Sequence, residues 1–446
     1  MGTVHDYAAL LPATEEFVRR RMDVPGNISL YYFQPVCDAD KIERLLIYPI
    51  ATAPEPASYV ESICRRRELG SSEELYGELI RGNVLVALEA ESYLFDASKT
   101  WNDKPGEANI ETTVQGPQST LSENAAANAG IIRHRYPAPG FRMESLQLGA
   151  VTRTPALLLY DADKADPAVL ADVKSRIARV EADVVQSTGQ LEKLINKQKR
   201  SLFPTMILTD RPDRIVLNLA QGKAILLMEG TPFSLVFPAV FYDFMSAMDD
   251  LYLPHWVTRM LVFFRYIALF IAITFPAIYV SVISFNPELF RVQMTLSLAG
   301  SRANVPYQSY VEVLFMLFMA EAMTEASIRL PRFMGSTATT VGGLILGQAA
   351  QQAGLVSSAM IITTSAVIIS SFVIPINTMS FAIRAVRYPL LLISSMLGLF
   401  GAVVGLFCIV CYLASLRSFG YPYLKGFVGE PSVSFGRRKG QRGTSN

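Results

Sequence analysis

From Phe333 to Ile383 the chain carries no Asp, Glu, Lys or Arg. A helix needs roughly 20 apolar residues to cross the hydrocarbon core of a bilayer, so this stretch has room for two crossings. Its middle, Gly347-Gln348-Ala349-Ala350-Gln351-Gln352-Ala353-Gly354, is the expected break between them. Two further uncharged runs, Tyr266 to Pro287 and Tyr388 to Leu416, supply one crossing each. A helix of a soluble core keeps one face polar for water, and segments this long without charge do not. Residues 251-425 are therefore expected to form an all-α polytopic domain in the lipid bilayer.

Composition removes other classes. Hydrophobic residues make up 51% of the 446 and charged residues 18%, and the one acid after Glu325 is Glu430. A formal net charge of +1, with no basic stripe interleaved with aromatics, gives no case for nucleic acid. Met1-Gly2-Thr3-Val4-His5-Asp6 lacks an apolar signal core, and Asp6 spoils a myristoylation pattern. Cys408 and Cys411 spell C-x-x-C inside the last apolar run, where no His or second Cys pair could complete a tetrahedral metal site. Cys37 and Cys64 could pair only in an oxidising compartment. His5, His134 and His255 are scattered, and no phosphate loop or dinucleotide fingerprint follows a strand. No metal, cofactor or catalytic set is expected, so the chain reads as non-enzymatic.

Upstream of the apolar region, strand and helix patterns alternate in two α/β subdomains, 1-112 and 113-250. In the first, Asn27 to Phe33, Arg44 to Ile50 and Asn83 to Leu88 have the β-branched and aromatic content of strands. Ser71-Ser72-Glu73-Glu74 has the form of a helix start. In the second, Ser119 to Arg135 predicts a helix ended by Pro137 and Pro139. Asp166-Pro167 opens another, with Val169, Val173, Ile177 and Val180 at helical spacing. Ala156 to Tyr160, Thr205 to Thr209 and Ala224 to Met228 predict strands. The alternation points to mixed or parallel sheets covered by helices. Glu229-Gly230-Thr231-Pro232-Phe233 then stands as the junction, and Trp256 and Tyr266 sit where interfacial aromatics would anchor a first membrane helix.

Several segments, in order, carry a family resemblance: Glu111 to Pro117, Thr209-Asp210-Arg211-Pro212-Asp213, Glu229 to Phe233, Ile328 to Arg332, and Gly343 to Ala350. Ala382-Ile383-Arg384 with Tyr388-Pro389, and Leu413 to Gly420 with Pro422-Tyr423, complete the set. Together they resemble the A subunit of bacterial spore germinant receptors, the GerA family, from about Glu111 to Lys425. The resemblance implies a cytoplasmic two-part N-terminal region and a multipass domain in the spore inner membrane. It also implies a transporter-like B subunit and a lipoprotein C subunit as partners, and homo-oligomers that form a channel releasing cations. Gln118, Leu317, Thr324 and Ala303 depart from the family's usual charged residues. An auxiliary germination channel protein of the same family, or a secondary transporter with broken helices, is the alternative.

The candidate functional helix runs from Val305 to Ile328, mostly apolar but bearing Glu312, Glu321 and Glu325. Glu321 and Glu325 share a face, with Glu312 roughly opposite. A carboxylate in a spanning helix faces a cavity or a partner, and rings of acids attract cations. The acids either line a cation path or are buried against Arg302, Arg329 or Arg332. Gly343/Gly347 and Gly401/Gly405 have the G-x-x-x-G spacing of close helix approach. After Leu416, Arg417, Lys425, Arg437, Arg438, Lys439 and Arg442 against the one acid Glu430 place the C-terminal end in the cytoplasm, with 426-446 a basic, disordered tail. The N-terminal region belongs there too, so the number of crossings is even. That favours a re-entrant, interfacial or broken helix at 305–328, although Arg384 and Arg387, read as loop charges, fit this topology less well.

Overall fold

Successive strands joined by tight turns build two five-stranded sheets. The computed structural model describes residues 16–25, 27–66, 72–88, 91–98, 111, 116–196, 201–329 and 332–424. The basic tail, and parts of the Glu111–Pro117 and Ile328–Arg332 segments, lie outside the described residues. The chain forms two compact units, one of residues up to 199 with 206–238, the other including 200–205 and 239–429.

In the first unit, one sheet holds β1 (Phe17–Arg21), β2 (Ser29–Phe33), β3 (Arg65–Arg66), β4 (Asn83–Leu88) and β5 (Glu91–Asp96), in the order β1-β2-β4-β5-β3. The second holds β6 (Phe141–Leu148), β7 (Thr154–Asp161), β8 (Ile207–Thr209), β9 (Ala224–Met228) and β10 (Ser234–Phe237), in the order β6-β7-β9-β10-β8. Every pairing is antiparallel. This corrects the expectation of mixed or parallel sheets. Parallel neighbours need a long crossover, whereas β4–β5, β6–β7 and β9–β10 are joined by short turns that return the chain beside itself.

Helices cover these sheets: α1 (Ala39–Ile42), α2 (Tyr48–Thr52), α3 (Pro56–Ile63) and α4 (Ser72–Ile80) the first, α5 (Ala125–Arg135), α6 (Pro167–Ala178), α7 (Thr188–Ile195) and α8 (Pro212–Ala220) the second. The segment 44–50 is helical, not a strand. Asp38 accepts from the amides of Asp40 and Lys41, which starts the turn. Ile42, Leu46 and Ile50 are then buried while Leu45 and Tyr48 are exposed, a period of four. Helix α5 begins later than expected because Asn124, not Ser119, caps it by accepting from the Ala127 amide at 2.7 Å. Asp166 caps α6, which buries Val169, Val173 and Ile177.

Arg133, in the last turn of α5, is fully buried. Its guanidinium lies 5.0 Å from the Phe33 ring, 5.4 Å from Tyr76 and 4.9 Å from Phe141. It donates to the Tyr76 hydroxyl at 2.6 Å, and its Nε is 3.6 Å from Glu16. Tyr76 in turn donates to the Ala138 carbonyl at 2.9 Å. Phe33 is on β2 and Phe141 on β6, so one cation ties both sheets of this unit. Burial pushes the Glu16 carboxyl above its ordinary range against the pull of Arg133.

The second unit is helical: α9 (Phe241–Met245), α10 (His255–Phe285), α11 (Val292–Ser301), α12 (Ser309–Arg329), α13 (Arg332–Gln352), α14 (Ser358–Phe372) and α15 (Asn377–Ser415), then a hairpin of β11 (Arg417–Ser418) and β12 (Tyr421–Pro422). Helices α10 and α15 are long and apolar enough to cross a membrane, and α14 is a shorter apolar helix. The expected break inside 333–383 falls at the end of that motif: α13 continues through Gln352, and the chain turns at Gly354, whose φ is +68°. Residues 309–329 form one unbroken helix, so a broken helix there is corrected. Its 21 residues reach about 31 Å.

Helix α15 doubles back on itself. Gly398 has φ 61° and ψ −145°, a backbone that favours glycine. A Cβ on Gly405 would lie 2.6 Å from Leu390, though fifteen residues along a straight helix span about 22 Å. The last run is thus two antiparallel arms, 377–397 and 399–415, with Phe285 of α10 packed on the turn. Ser284 meets Ser309 and Tyr279 meets Ser357, which brings the far end of α10 to the starts of α12 and α14. After the second arm, Ser418 accepts from the Ala239 amide at 3.0 Å and donates to the Thr205 carbonyl at 2.7 Å. Tyr423, fully buried, accepts at its carbonyl from the Phe241 amide and donates its hydroxyl to the Pro204 carbonyl. The hairpin therefore returns to the segment that precedes α10.

Removing one partner of a buried ion pair costs about 3–5 kcal/mol. Arg133→Met is accordingly expected to destabilise the first unit by that order. Glu16→Gln with Arg133→Met should regain a large part of the loss in denaturant unfolding. Equal losses in the single and double variants would show that the charge pairing is immaterial.

Candidate functional site

The three carboxylates of α12 each meet a guanidinium. Glu312 is 1% exposed. One of its oxygens accepts from the Ser357 amide and hydroxyl, both at 2.6 Å, and the other lies 3.3 Å from Arg302 Nε. Ser357 is the N-cap of α14, so Glu312 places negative charge at the positive end of that helix. With Tyr279 3.2 Å from the same hydroxyl, one serine joins α10, α12 and α14.

Glu321 points the other way. Its two oxygens lie 2.9 Å from Arg384 and 2.9 Å from Arg387. Arg387 is 3% exposed, and Arg384 also lies 4.7 Å from the Phe381 ring. These arginines are inside α15, not in a loop, which corrects the expected loop charges. Glu325 pairs with Arg329 one turn on, in an exposed position, where such a pair is worth about 0.3–0.5 kcal/mol. Glu312 is buried against Arg302, one of the partners the burial alternative names, whereas Glu325 meets Arg329 in an exposed position and the Arg332 side chain lies outside the described residues. The Arg384–Glu321–Arg387 bridge escapes sequence reasoning, since it joins positions 66 apart. Its one local signal is two arginines at i and i+3 flanked by uncharged sequence.

The glycine pairs behave differently from each other. A Cβ on Gly401 would lie 2.6 Å from the Ile393 carbonyl oxygen, and Gly405 abuts Leu390. That pair sits where the two arms of α15 approach. Gly343 faces the Met323 methyl at 3.1 Å, and nothing lies within 4 Å of a Cβ on Gly347. Both border a cavity of about 490 Å3 among α12, α13 and α14.

The segment holding Glu229, Gly230 and Pro232 is the turn between β9 and β10, within the second sheet and not a connection between units. Glu229 accepts from the Ala125 amide at 2.7 Å, in the first turn of α5. Gly230, at φ +79°, donates to the Glu123 carbonyl. In the Thr209–Asp213 motif, Arg211 is fully buried and binds the carbonyls of Glu111 and Pro117, both at 2.9 Å. Arg214 adds an ion pair to the Glu111 carboxylate at 2.8 Å. Both motifs thus act on the fold of the first unit.

Among the described residues, no group of three or more His, Cys, Asp or Glu could hold a metal ion. All four cysteines are free, and burial pushes the Cys37 and Cys64 thiols up to about 12. The arrangement offers charge pairing, helix contacts and an apolar cavity.

Among known proteins, residues 7–433 match the family described as Bacillus/Clostridium GerA spore germination protein. Spore germination protein KA of Bacillus subtilis (strain 168) is 33% identical over 409 residues, which cover 89% of this chain and 75% of that protein. Spore germination protein B1 of the same organism is 36% identical over 269 residues, 60% of this chain and 56% of the other. Among solved structures, the crystal structure of the N-terminal domain of the A subunit of the Bacillus megaterium spore germinant receptor GerK3 matches with a TM-score of 0.40 and 21% identity. It covers 53% of this chain and 92% of that one.

Overpacking a close contact typically costs about 1–3 kcal/mol. Gly401→Leu should therefore lower the thermal midpoint of the detergent-solubilised protein, whereas Gly347→Leu, entering open space, should leave it nearly unchanged. A Gly401→Leu protein with wild-type midpoint but lost self-association would instead place that glycine at a seam between copies.

Proposed function

The chain belongs to the GerA family of spore germination proteins, and from that premise we propose that it is a membrane subunit of a germinant receptor. In this reading it works with a transporter-like B subunit and a lipoprotein C subunit. Copies of it surround a path that releases cations when nutrient is sensed, and the chain itself is not an enzyme. Ligand binding elsewhere in the complex shifts an equilibrium between closed and open arrangements of the helices.

The polarity of α13 carries the reading. Its last turn exposes Gln348, Gln351 and Gln352, just beyond the exposed Leu344 and Ile345, while the exposed residues of α10 and α15 include Phe263, Phe264, Phe270, Met396, Phe400 and Phe407. Exposed amides are poorly matched to hydrocarbon, where a polar group without a partner costs several kcal/mol. Such a face belongs against water or another subunit. Glu325 stays exposed on the neighbouring α12, paired with Arg329, and would add a carboxylate to each copy's contribution where that solvent-exposed pair opens. Glu312 and Glu321 remain candidates for coupling, since each joins α12 to another helix.

Several crossings fit the alternation of direction. The far end of α10 meets the starts of α12 and α14, the arms of α15 run in opposite senses, and the closing hairpin returns beside residues 239–241. An even number of crossings would keep the N-terminal region and tail in the cytoplasm, on one side of the spore inner membrane.

The test is cation flux from liposomes holding this chain with its B and C partners. Germinant-dependent flux is expected, reduced by Glu325→Gln and by Gln351→Leu in a protein that still assembles. Nutrient transport by this chain alone, without cation flux, would end the receptor reading in favour of a transporter.

A further inference from the structure

Helices α13 and α14 both lean on α12 but leave a gap between themselves, and the cavity of about 490 Å3 fills it. Its floor is a stripe of α12 formed by Met316, Met319, Ala320, Met323 and Ser327, positions three and four apart that share a face. Gly343 and Gly347 form one wall, and Ile361, Thr364 and Ile368 the other. Among the described residues, no charged side chain lines it. The hydroxyls of Thr324 and Thr364 are turned back to carbonyls of their own helices, at 2.8 and 2.9 Å. Beside the walls, Leu344, Ile345, Ile362 and Ile369 are exposed, so the surroundings of the cavity are as apolar as its lining.

We propose that this cavity is an acyl-chain site, in which the tail of a membrane lipid lies along the methionine stripe of α12. From Met316 to Ser327 the stripe is about 16 Å long, an elongated shape suited to a hydrocarbon chain. The volume is within the range of small-molecule sites. Unbranched thioethers adapt to a flexible chain, and glycine on α13 removes the side chains that would fill its path. A zwitterionic or charged ligand would lose its hydration with no charged residue to replace it. The tail would thus sit under α12, the helix that holds α14 through Glu312 and α15 through Glu321, and make their packing responsive to lipid order.

The site rests on the helical unit lying in a bilayer, and the test separates the two claims. The full-length protein is reconstituted with a phosphatidylglycerol bearing a diazirine midway along one acyl chain, irradiated, and its labelled peptides mapped. Label is expected on α12 within 316–327 and on α14 within 361–368, and also on the exposed α15 residues Leu392, Met396 and Phe400. Gly347→Phe, whose new side chain enters open space, should reduce the α12 and α14 label about tenfold and leave the α15 label unchanged. Ile361→Trp, which fills the opposite wall, should do the same. Groove label unaffected by either filling variant, or label confined to α15, overturns the acyl-chain site while leaving the membrane reading intact. Absence of label on α15 as well overturns both.

Discussion

An unpaired ion in an apolar bundle is so costly that the charged residues of the helical unit decide which helices must be neighbours. Glu312 can be buried because it meets Arg302 and the start of α14 together. Arg387 can be buried because Glu321 reaches it from α12. Removing one partner of such a pair costs about 3–5 kcal/mol, far more than any one exposed pair contributes. The carboxylates of α12 are therefore fasteners first: one draws in α14, the other the first arm of α15. The same constraint operates in the first unit, where Arg133 is enclosed by Phe33, Tyr76 and Phe141 and faced by Glu16.

Close approach is the second constraint, and it falls on particular glycines. Gly398 makes the turn that lets α15 fold back, and a side chain there would strike Phe285, which lies 2.8 Å from where its Cβ would stand. Gly401 and Gly405 then let the returning arm settle against Ile393 and Leu390. In α13 the same spacing has the opposite outcome, since Gly347 faces open space. The G-x-x-x-G pattern states that a backbone is exposed along one stripe. What covers the stripe depends on residues elsewhere in the chain.

That dependence marks what can be read in advance. Long uncharged runs identify the apolar region, because burial in either lipid or protein forbids stray charge; alternation of strand and helix patterns identifies the α/β region for a similarly local reason. The Asp166 cap and the buried Val169, Val173 and Ile177 are legible, since cap and period lie within a dozen residues. Arg44 to Ile50 reads wrongly as a strand because a short apolar run satisfies both periods, and only the burial of Ile42, Leu46 and Ile50 decides it. Sheet direction follows turn length, which strand content does not reveal. In the candidate site, Glu325–Arg329 is visible at i, i+4. Arg384 with Glu321 is not, because the fold-back of α15 and the path of α12 must both be known before the two can be placed together.

The charge sums of these clusters bear on where a cation could pass. Glu312 with Arg302 is neutral, whereas Glu321 faces two guanidinium groups and leaves one positive charge in excess. At 4 Å, two like charges repel by about 4 kcal/mol at an effective dielectric constant of 20, so the seam between α12 and α15 is unfavourable for a cation. The last turn of helix α13 presents the amides of Gln348, Gln351 and Gln352, and the Glu325–Arg329 pair on α12 sums to zero, so neither carries the excess positive charge of that seam. In the proposed assembly, the surface turned toward the cation path is therefore the one that includes α13 and the Glu325 end of α12, with the arginine-rich seam turned away. The residues that hold the bundle together and the residues that meet the ion are then different ones, which lets the path open without breaking the pairs that keep α12, α14 and α15 in place.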